Sequence, residues 1–187
     1  MERVYLLVFT SIWTTIVQFR RKGSDQDMKM KTGVEQSVYA ALLLNMLPEG
    51  AVLHSEEISR QIGASPTYFQ KLLRKMGSAD LITSVPGTKG GFKLKQPPED
   101  IRVYDIYVAI EGQQSLYTPS GIFEGMLELD EEDDQCILGS LMDEAEDSWK
   151  SVLKRETIAS LTEELQAARY NSQMAVLRKW LDEKMVV

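Results

Sequence analysis

The chain has 187 residues, 43% of them apolar and 26% charged, with a formal net charge of -7; these are the proportions of a soluble globular protein able to bury a real core as one unit plus an appendage, or as two small units. One cysteine, Cys136, excludes an internal disulfide, and one histidine, His54, excludes a zinc-finger or metallohydrolase ligand set and any Ser/His/Asp or Cys/His catalytic constellation. The charge is uneven: residues 28–100 carry 9 basic and 7 acidic side chains, whereas residues 101–187 carry 8 and 18.

Residues 1–27 do not fit the rest. Val4 to Val17 is an apolar run of 14, followed by Gln18-Phe19-Arg20-Arg21-Lys22 and a polar tail. Fourteen residues fall short of a spanning helix, and a secretory signal would carry its basic residues before the run. Two readings stay open: an extension from a start placed too early, with Met28 or Met30 the real start, or a segment that associates with a membrane.

Val34 to Leu47 reads as an amphipathic to fully buried helix that stops before Pro48. Val52 and Leu53 form a candidate minor strand. Ile58 and Ile62 then mark a short helix, with His54 near its entrance and Gly63 and Ala64 turning out of it. Ser65 and Pro66 open a longer helix, the serine as side-chain cap and the proline where a missing N–H costs nothing. Phe69, Leu72, Leu73 and Met76 recur at helical spacing, and Gly77 is the expected stop. Two helices meeting across a turn of about 3 residues have the form of a helix-turn-helix.

Leu81–Val85 and Phe92–Lys95 are short runs joined by Pro-Gly-Thr-Lys-Gly-Gly, a turn-forming segment, so they are predicted to pair as a hairpin, or wing, closed by Pro97 and Pro98. From Arg60 to Lys95 there are seven basic side chains (Arg60, Lys71, Arg74, Lys75, Lys89, Lys93, Lys95) against Asp80 alone. An acidic protein thus reverses its charge on the one unit shaped to enter a groove, as phosphate contact requires. The candidate DNA-contacting residues are Ser65, Pro66, Thr67, Tyr68, Gln70, Lys71, Arg74, Lys75, Lys89, Gly90 and Lys93. Thr67, Tyr68, Gln70 and Lys71 are assigned to base edges or adjacent phosphates; Ser65, Arg74, Lys75, Lys89 and Lys93 mainly to the backbone.

Val103, Ile106, Tyr107 and Ile110 give a helix over about 101–111 that stops at Gly112. Gln113 to Asp134 is a connecting segment that ends in the acidic run Asp130 to Asp134, which suits a helix start. Leu138, Leu141, Met142, Ala145, Trp149 and Val152 then line a long helix over about 135–155. The spacing through 138, 142, 145, 149 and 152 is that of a seam, to be buried either on the rest of the chain or on a second copy. Thr157 is placed to cap a further helix, with Asn171 and Ser172 interrupting the tail before Met174, Leu177, Trp180 and Leu181.

Three stretches carry a family resemblance: Ser65-Pro66-Thr67-Tyr68-Phe69-Gln70-Lys71-Leu72-Leu73, Leu81 to Phe92 with its Pro-Gly-Thr-Lys-Gly-Gly tip, and Ile101-Arg102-Val103-Tyr104-Asp105-Ile106 leading to Ile110-Glu111-Gly112. From Met28 to about Leu161 the chain resembles the Rrf-two family of bacterial winged-helix transcription regulators, which includes the iron-sulfur cluster regulator and nitric-oxide-sensing repressors. The resemblance implies a mainly α fold with a small β-hairpin wing, the winged helix-turn-helix being followed by a long dimerisation helix. It also implies a start near Met28, a cytoplasmic location, and a homodimer paired through the long helix. On that basis the expected organisation is an extension over 1–27, a DNA-binding unit over 28–112 and a helical dimerisation and signal-response region over 113–187.

Cluster-binding relatives carry three cysteines in the segment corresponding to 113–136 plus a fourth ligand. Here only Cys136 is present, and three residues on stands Gly139. One thiolate cannot hold an iron-sulfur cluster, so no cofactor is expected; two chains would bring two thiolates, leaving a shared metal or a redox disulfide as the remaining ideas. Pro86 replaces a wing arginine frequent in relatives, and Gln70 a frequent glutamate, which places a shared target sequence in doubt. The expected function is a homodimeric transcriptional regulator, a repressor, reading a dyad-symmetric site in double-stranded DNA, with a small-molecule or protein effector and no enzymatic activity. The alternative is a winged protein-interaction module that docks a partner through its acidic 124–147 surface.

Overall fold

The fold is built outward from one helix that meets apolar neighbours on nearly every side. In this computed structural model the described residues are 30–128 and 136–187; the readings of residues 1–27 and of the Asp130–Asp134 run lie outside them. The elements below all belong to the unit Lys31–Val187.

The central helix is α1, Thr32–Asn45. Val34, Ala40, Ala41, Leu42, Leu43 and Leu44 are buried, so no single apolar stripe emerges, as expected of a helix covered all round. Its buried Ser37 is satisfied by donating from Oγ to the Gly33 carbonyl at 2.8 Å. Pro48 comes after the last turn and cannot continue it. Against α1 packs α3 (Pro66–Ser78), and α2 (Ser55–Gln61) packs on α3, the two joined by a turn at Gly63, whose φ of +67° favours glycine. Phe69, Leu72, Leu73 and Met76 of α3 are buried in the common core, each such side chain stabilising the fold by roughly 1.5–3 kcal/mol relative to exposure.

Two expectations at the ends of α3 are corrected. Ser65 occupies the N-cap position with Pro66 at N1, but its hydroxyl makes no capping hydrogen bond. Gly77 lies within the helix rather than ending it; the chain turns at Asp80, whose φ is +60°, a conformation an Asp side chain tolerates better than most.

The strands β1 (Ile82–Val85) and β2 (Gly91–Leu94) pair antiparallel, Ile82 opposite Leu94 and Val85 opposite Gly91. Leu53 bridges to Phe92, as the minor-strand reading requires. On its other side, Val52 exchanges both backbone hydrogen bonds with Val186, each at 2.9 Å. The chain's last residues therefore seal the edge of the sheet, which otherwise presents unpaired backbone groups.

Helix α4 (Val103–Glu111) ends at Gly112 as expected. A short helix, α5 (Ile122–Leu127), interrupts the connecting segment, and the long helix α6 spans Ile137–Arg155. Thr157 caps α7 (Ile158–Leu165): Oγ1 accepts from Ser160 N–H at 3.1 Å while Ser160 Oγ accepts from Thr157 N–H at 3.0 Å. Asn45 Nδ2 donates to Thr162 Oγ1 at 2.8 Å, tying α7 to α1. After a turn of 3-10 helix at Ala168–Tyr170, α8 (Asn171–Lys184) buries Met174 and Leu181. Among the described residues no helix is long and apolar enough to cross a membrane.

The residues expected to form a seam on α6 divide between two sides. Trp149 faces inward, its ring edge-on to Tyr107 of α4 with centroids 4.8 Å apart, and Met142 shares that half-buried side with it. The outward apolar stripe is instead Leu138, Leu141, Ala145 and Val152. Leu138, Leu141 and Val152 are 48%, 59% and 46% exposed, and Ile137 is 72% exposed at the helix start.

Candidate nucleic-acid interface

The burial of Phe69, Leu72, Leu73 and Met76 fixes the rotation of α3, because successive residues advance by about 100°. Thr67, Gln70, Lys71 and Arg74 therefore fall opposite the core, and all four are exposed. Tyr68 and Lys75 fall on the flank. A Cβ at Gly33 would stand 2.6 Å from the Tyr68 hydroxyl, so this tyrosine lies along the start of α1. Lys75 Nζ donates to the Ile110 carbonyl, satisfying an acceptor at the end of α4 that the helix itself leaves open. The backbone-holding role read for Lys75 thus meets a competing partner inside the molecule. Beside it, Lys31 pairs with the buried Glu111 carboxylate, which holds the ammonium above its ordinary range.

The helix start is suited to an anion. The first turn of α3 contains no acidic side chain, and Ser65 leaves the leading N–H groups uncapped by its hydroxyl. Exposed N–H groups at the positive end of a helix attract phosphate.

The wing depends on two close approaches. A Cβ on Gly90 would lie 2.1 Å from the Val85 carbonyl oxygen, and one on Gly91 would lie 2.8 Å from that of Leu53. Only glycine permits this tip and this strand contact. Lys89 stands exposed at the tip. Lys93 is elsewhere: it lines a groove of about 270 Å³ with Leu47, Pro48 and Gln96 that includes no residue of α3.

The seven cations are not equally available. Arg60 pairs with Glu57 at 2.8 Å, Lys95 pairs with Asp80 at 2.6 Å, and Lys75 is engaged at Ile110. Lys71, Arg74 and Lys89 have no carboxylate partner among the described residues and belong to the outer face of α3 or the wing tip. Arg74 makes only a 3.4 Å contact from Nε to its own helix at the Gln70 carbonyl. Ser65, Pro66, Thr67, Gln70, Lys71 and Arg74 thus share the start and outer face of α3, exposed Lys89 and buried Gly90 belong to the wing tip, and Tyr68, Lys75 and Lys93 sit to the side. The Lys31–Glu111 pair was not anticipated, because its members lie far apart in the chain and carry no local signature.

Among the described residues, iron chemistry finds no support in the side chains. Cys136, the chain's one cysteine, is half-buried at the N-cap of α6, with its Sγ 4.0 Å from the Tyr117 hydroxyl. Gly139, one turn on, adds no ligand atom. Among the described residues no group of three or more His, Cys, Asp or Glu is placed to hold a metal ion. These residues do not fit an iron site or a cluster.

Comparison with known proteins bears on this geometry. The family profile described as Rrf2, iron-dependent transcriptional regulator, matches residues 30–164. The chain is 44% identical over 131 residues to the "Putative HTH-type transcriptional regulator" YwgB of Bacillus subtilis (strain 168), covering 70% of this chain and 82% of that protein. It is 32% identical over 157 residues to YffB of Lactococcus lactis subsp. lactis (strain IL1403), which bears the same description, covering 83% of this chain and 99% of that one. Among solved structures, IscR of T. potens superposes with a TM-score of 0.59 at 25% identity, covering 76% of this chain and 91% of IscR.

Proposed function

The chain belongs to the Rrf2 family and is a winged helix-turn-helix, DNA-binding transcription regulator, and on that premise we propose that it acts in the cytoplasm as a homodimeric repressor of dyad-symmetric sites, with no catalytic role. The observation that carries this reading is the outer face of α3, where Thr67, Gln70, Lys71 and Arg74 stand clear of the core. Thr67, Gln70 and Lys71 are assigned to base edges, while Arg74, Lys89 and the uncapped start of α3 hold phosphates. Tyr68 and Lys75 act from the flank, positioning α3 against α1 and α4.

The exposed stripe on α6 supports pairing of two copies. Four apolar side chains in a row on a solvent face favour burial against an equivalent surface, and a two-fold dimer buries the same patch twice. A two-fold dimer presents two α3 helices to half-sites about one helical turn apart. Repression is read as the consequence of occupying such a site.

Selection of bound fragments from random DNA, using protein made from Met28, tests the reading. The expected product is an inverted repeat bound by two chains. Recovery of fragments without a shared motif, or of half-sites bound by one chain, would overturn it.

A further inference from the structure

Between α4, the start of the connecting segment and α6 lies a cavity of about 320 Å³, large enough for a small metabolite. One wall is aromatic: Tyr104 stacks on Tyr107 at 6.2 Å between centroids, and Tyr107 meets the edge of Trp149. The rest of the lining brings donors. Lys150 gives one N–H to Glu146 at 2.5 Å and keeps two. Lys154, one turn further along α6, lies over the Tyr104 ring at 4.9 Å and has no carboxylate partner among the described residues.

Glu146 cannot answer these donors. Its carboxylate already accepts from Lys150, from the Leu116 N–H at 2.8 Å and from the Ser115 hydroxyl at 2.9 Å. Asp147 lines the same cavity and, like Lys154, is exposed to solvent; among the described residues it makes no ion pair with either lysine. Unspent ammonium donors beside aromatic rings, in a lining that is otherwise mostly polar, match a ligand with an anionic end and a planar body.

We propose that this cavity binds a small organic acid, its carboxylate on Lys154 and its planar body against Tyr104, Tyr107 and Trp149, and that the ligand is an effector. The site touches both ends of the molecule's working parts. It spans α4, whose terminal carbonyl holds Lys75 of α3, and α6, which carries the outward apolar stripe. That the ligand alters operator affinity rests on the DNA-binding role proposed above; that it binds does not.

Titration calorimetry with benzoate as probe tests binding on the protein alone, with benzylamine and inorganic phosphate as controls. The proposal expects saturable benzoate binding, no detectable benzylamine binding and phosphate at least tenfold weaker than benzoate. Lys154→Gln should weaken benzoate about tenfold, and Lys154→Arg should restore it, because either cation can lie over the tyrosine. Absent saturable binding, equal affinity for benzylamine or phosphate, or an unaffected Lys154→Gln variant would each overturn the site. In a second measurement, saturating benzoate should shift the half-saturation of the selected duplex at least threefold in wild type, and Lys154→Gln should need about ten times more benzoate for the same shift. Bound benzoate with no such shift overturns the effector role; protein that binds no duplex under any condition contradicts the proposed function and leaves the calorimetric result standing.

Discussion

Helices α3 and α6 both carry a row of large apolar side chains, yet the rows meet different fates. On α3 every member is buried by its own chain, which leaves the polar face as the only one available to a partner. On α6 the apolar residues divide: Met142 and Trp149 turn toward α4, while Leu138, Leu141 and Val152 remain in solvent. The contrast teaches that the reading unit buries its apolar row within one chain, whereas the long helix leaves part of its own in solvent.

Breaking the first half of that contrast should have the largest effect. Phe69→Ala removes a fully buried ring from α3 and is expected to cost about 3–5 kcal/mol, read as a lowered denaturant midpoint. A loss below 1 kcal/mol would mean that α3 is not anchored as described. For α6, Leu141→Glu should raise the dimer dissociation constant at least a hundredfold, about 2.7 kcal/mol, in sedimentation, while the folded chain keeps its stability to within about 0.5 kcal/mol. Trp149→Ala should do the reverse, destabilising the chain with less effect on pairing. Interchanged outcomes would return Trp149 to the seam.

Gly90→Ala sharpens the comparison at the wing, since its methyl group has no room beside the Val85 carbonyl. Overpacking of this kind costs about 1–3 kcal/mol; we expect the tip to shift to relieve it and duplex affinity to fall, with the helical circular dichroism unchanged, and wild-type affinity would show that the tip does not touch DNA.

The smallest effect concerns the junction of α6 with the connecting segment. Lys150, then the Leu116 N–H and the Ser115 hydroxyl, hold the Glu146 carboxyl at about 2 against an ordinary 4.5. A group depressed on folding contributes stability that is complete above its unfolded value and fades as pH falls from about 4.5 toward 2. Acid unfolding of wild type should therefore begin at higher stability than that of Glu146→Gln, the two curves converging as pH approaches 2. Curves that stay parallel throughout would exclude the linkage.

Much of the reading unit was legible because its signals are local. A four-residue apolar stripe, Pro66 at a helix start and glycines at a hairpin tip each act within a few residues. The illegible contacts depended on distant partners. Nothing near Lys75 or Tyr68 announces Ile110 or Gly33, and nothing near Val52 announces Val186. On α6, with apolar residues on two sides, spacing alone could not separate Met142 and Trp149, which turn toward α4, from the exposed row of Leu138, Leu141, Ala145 and Val152. Ser65 marked the start of α3 correctly while its hydroxyl made no cap, because position and hydrogen bond are separate requirements.

The most direct test is the salt dependence of binding to the selected inverted repeat for wild type, Lys89→Ala and Gln70→Ala. Neutralised phosphates release counterions, so log affinity should fall linearly with log salt, and each lost phosphate contact should flatten the slope by roughly 0.9. Lys89→Ala is predicted to weaken all sequences alike and to flatten the slope, whereas Gln70→Ala should keep the slope and reorder the preferred sequences. Wild-type affinity that does not change with salt, or identical behaviour of the two variants, would contradict a duplex held by the wing and read by α3.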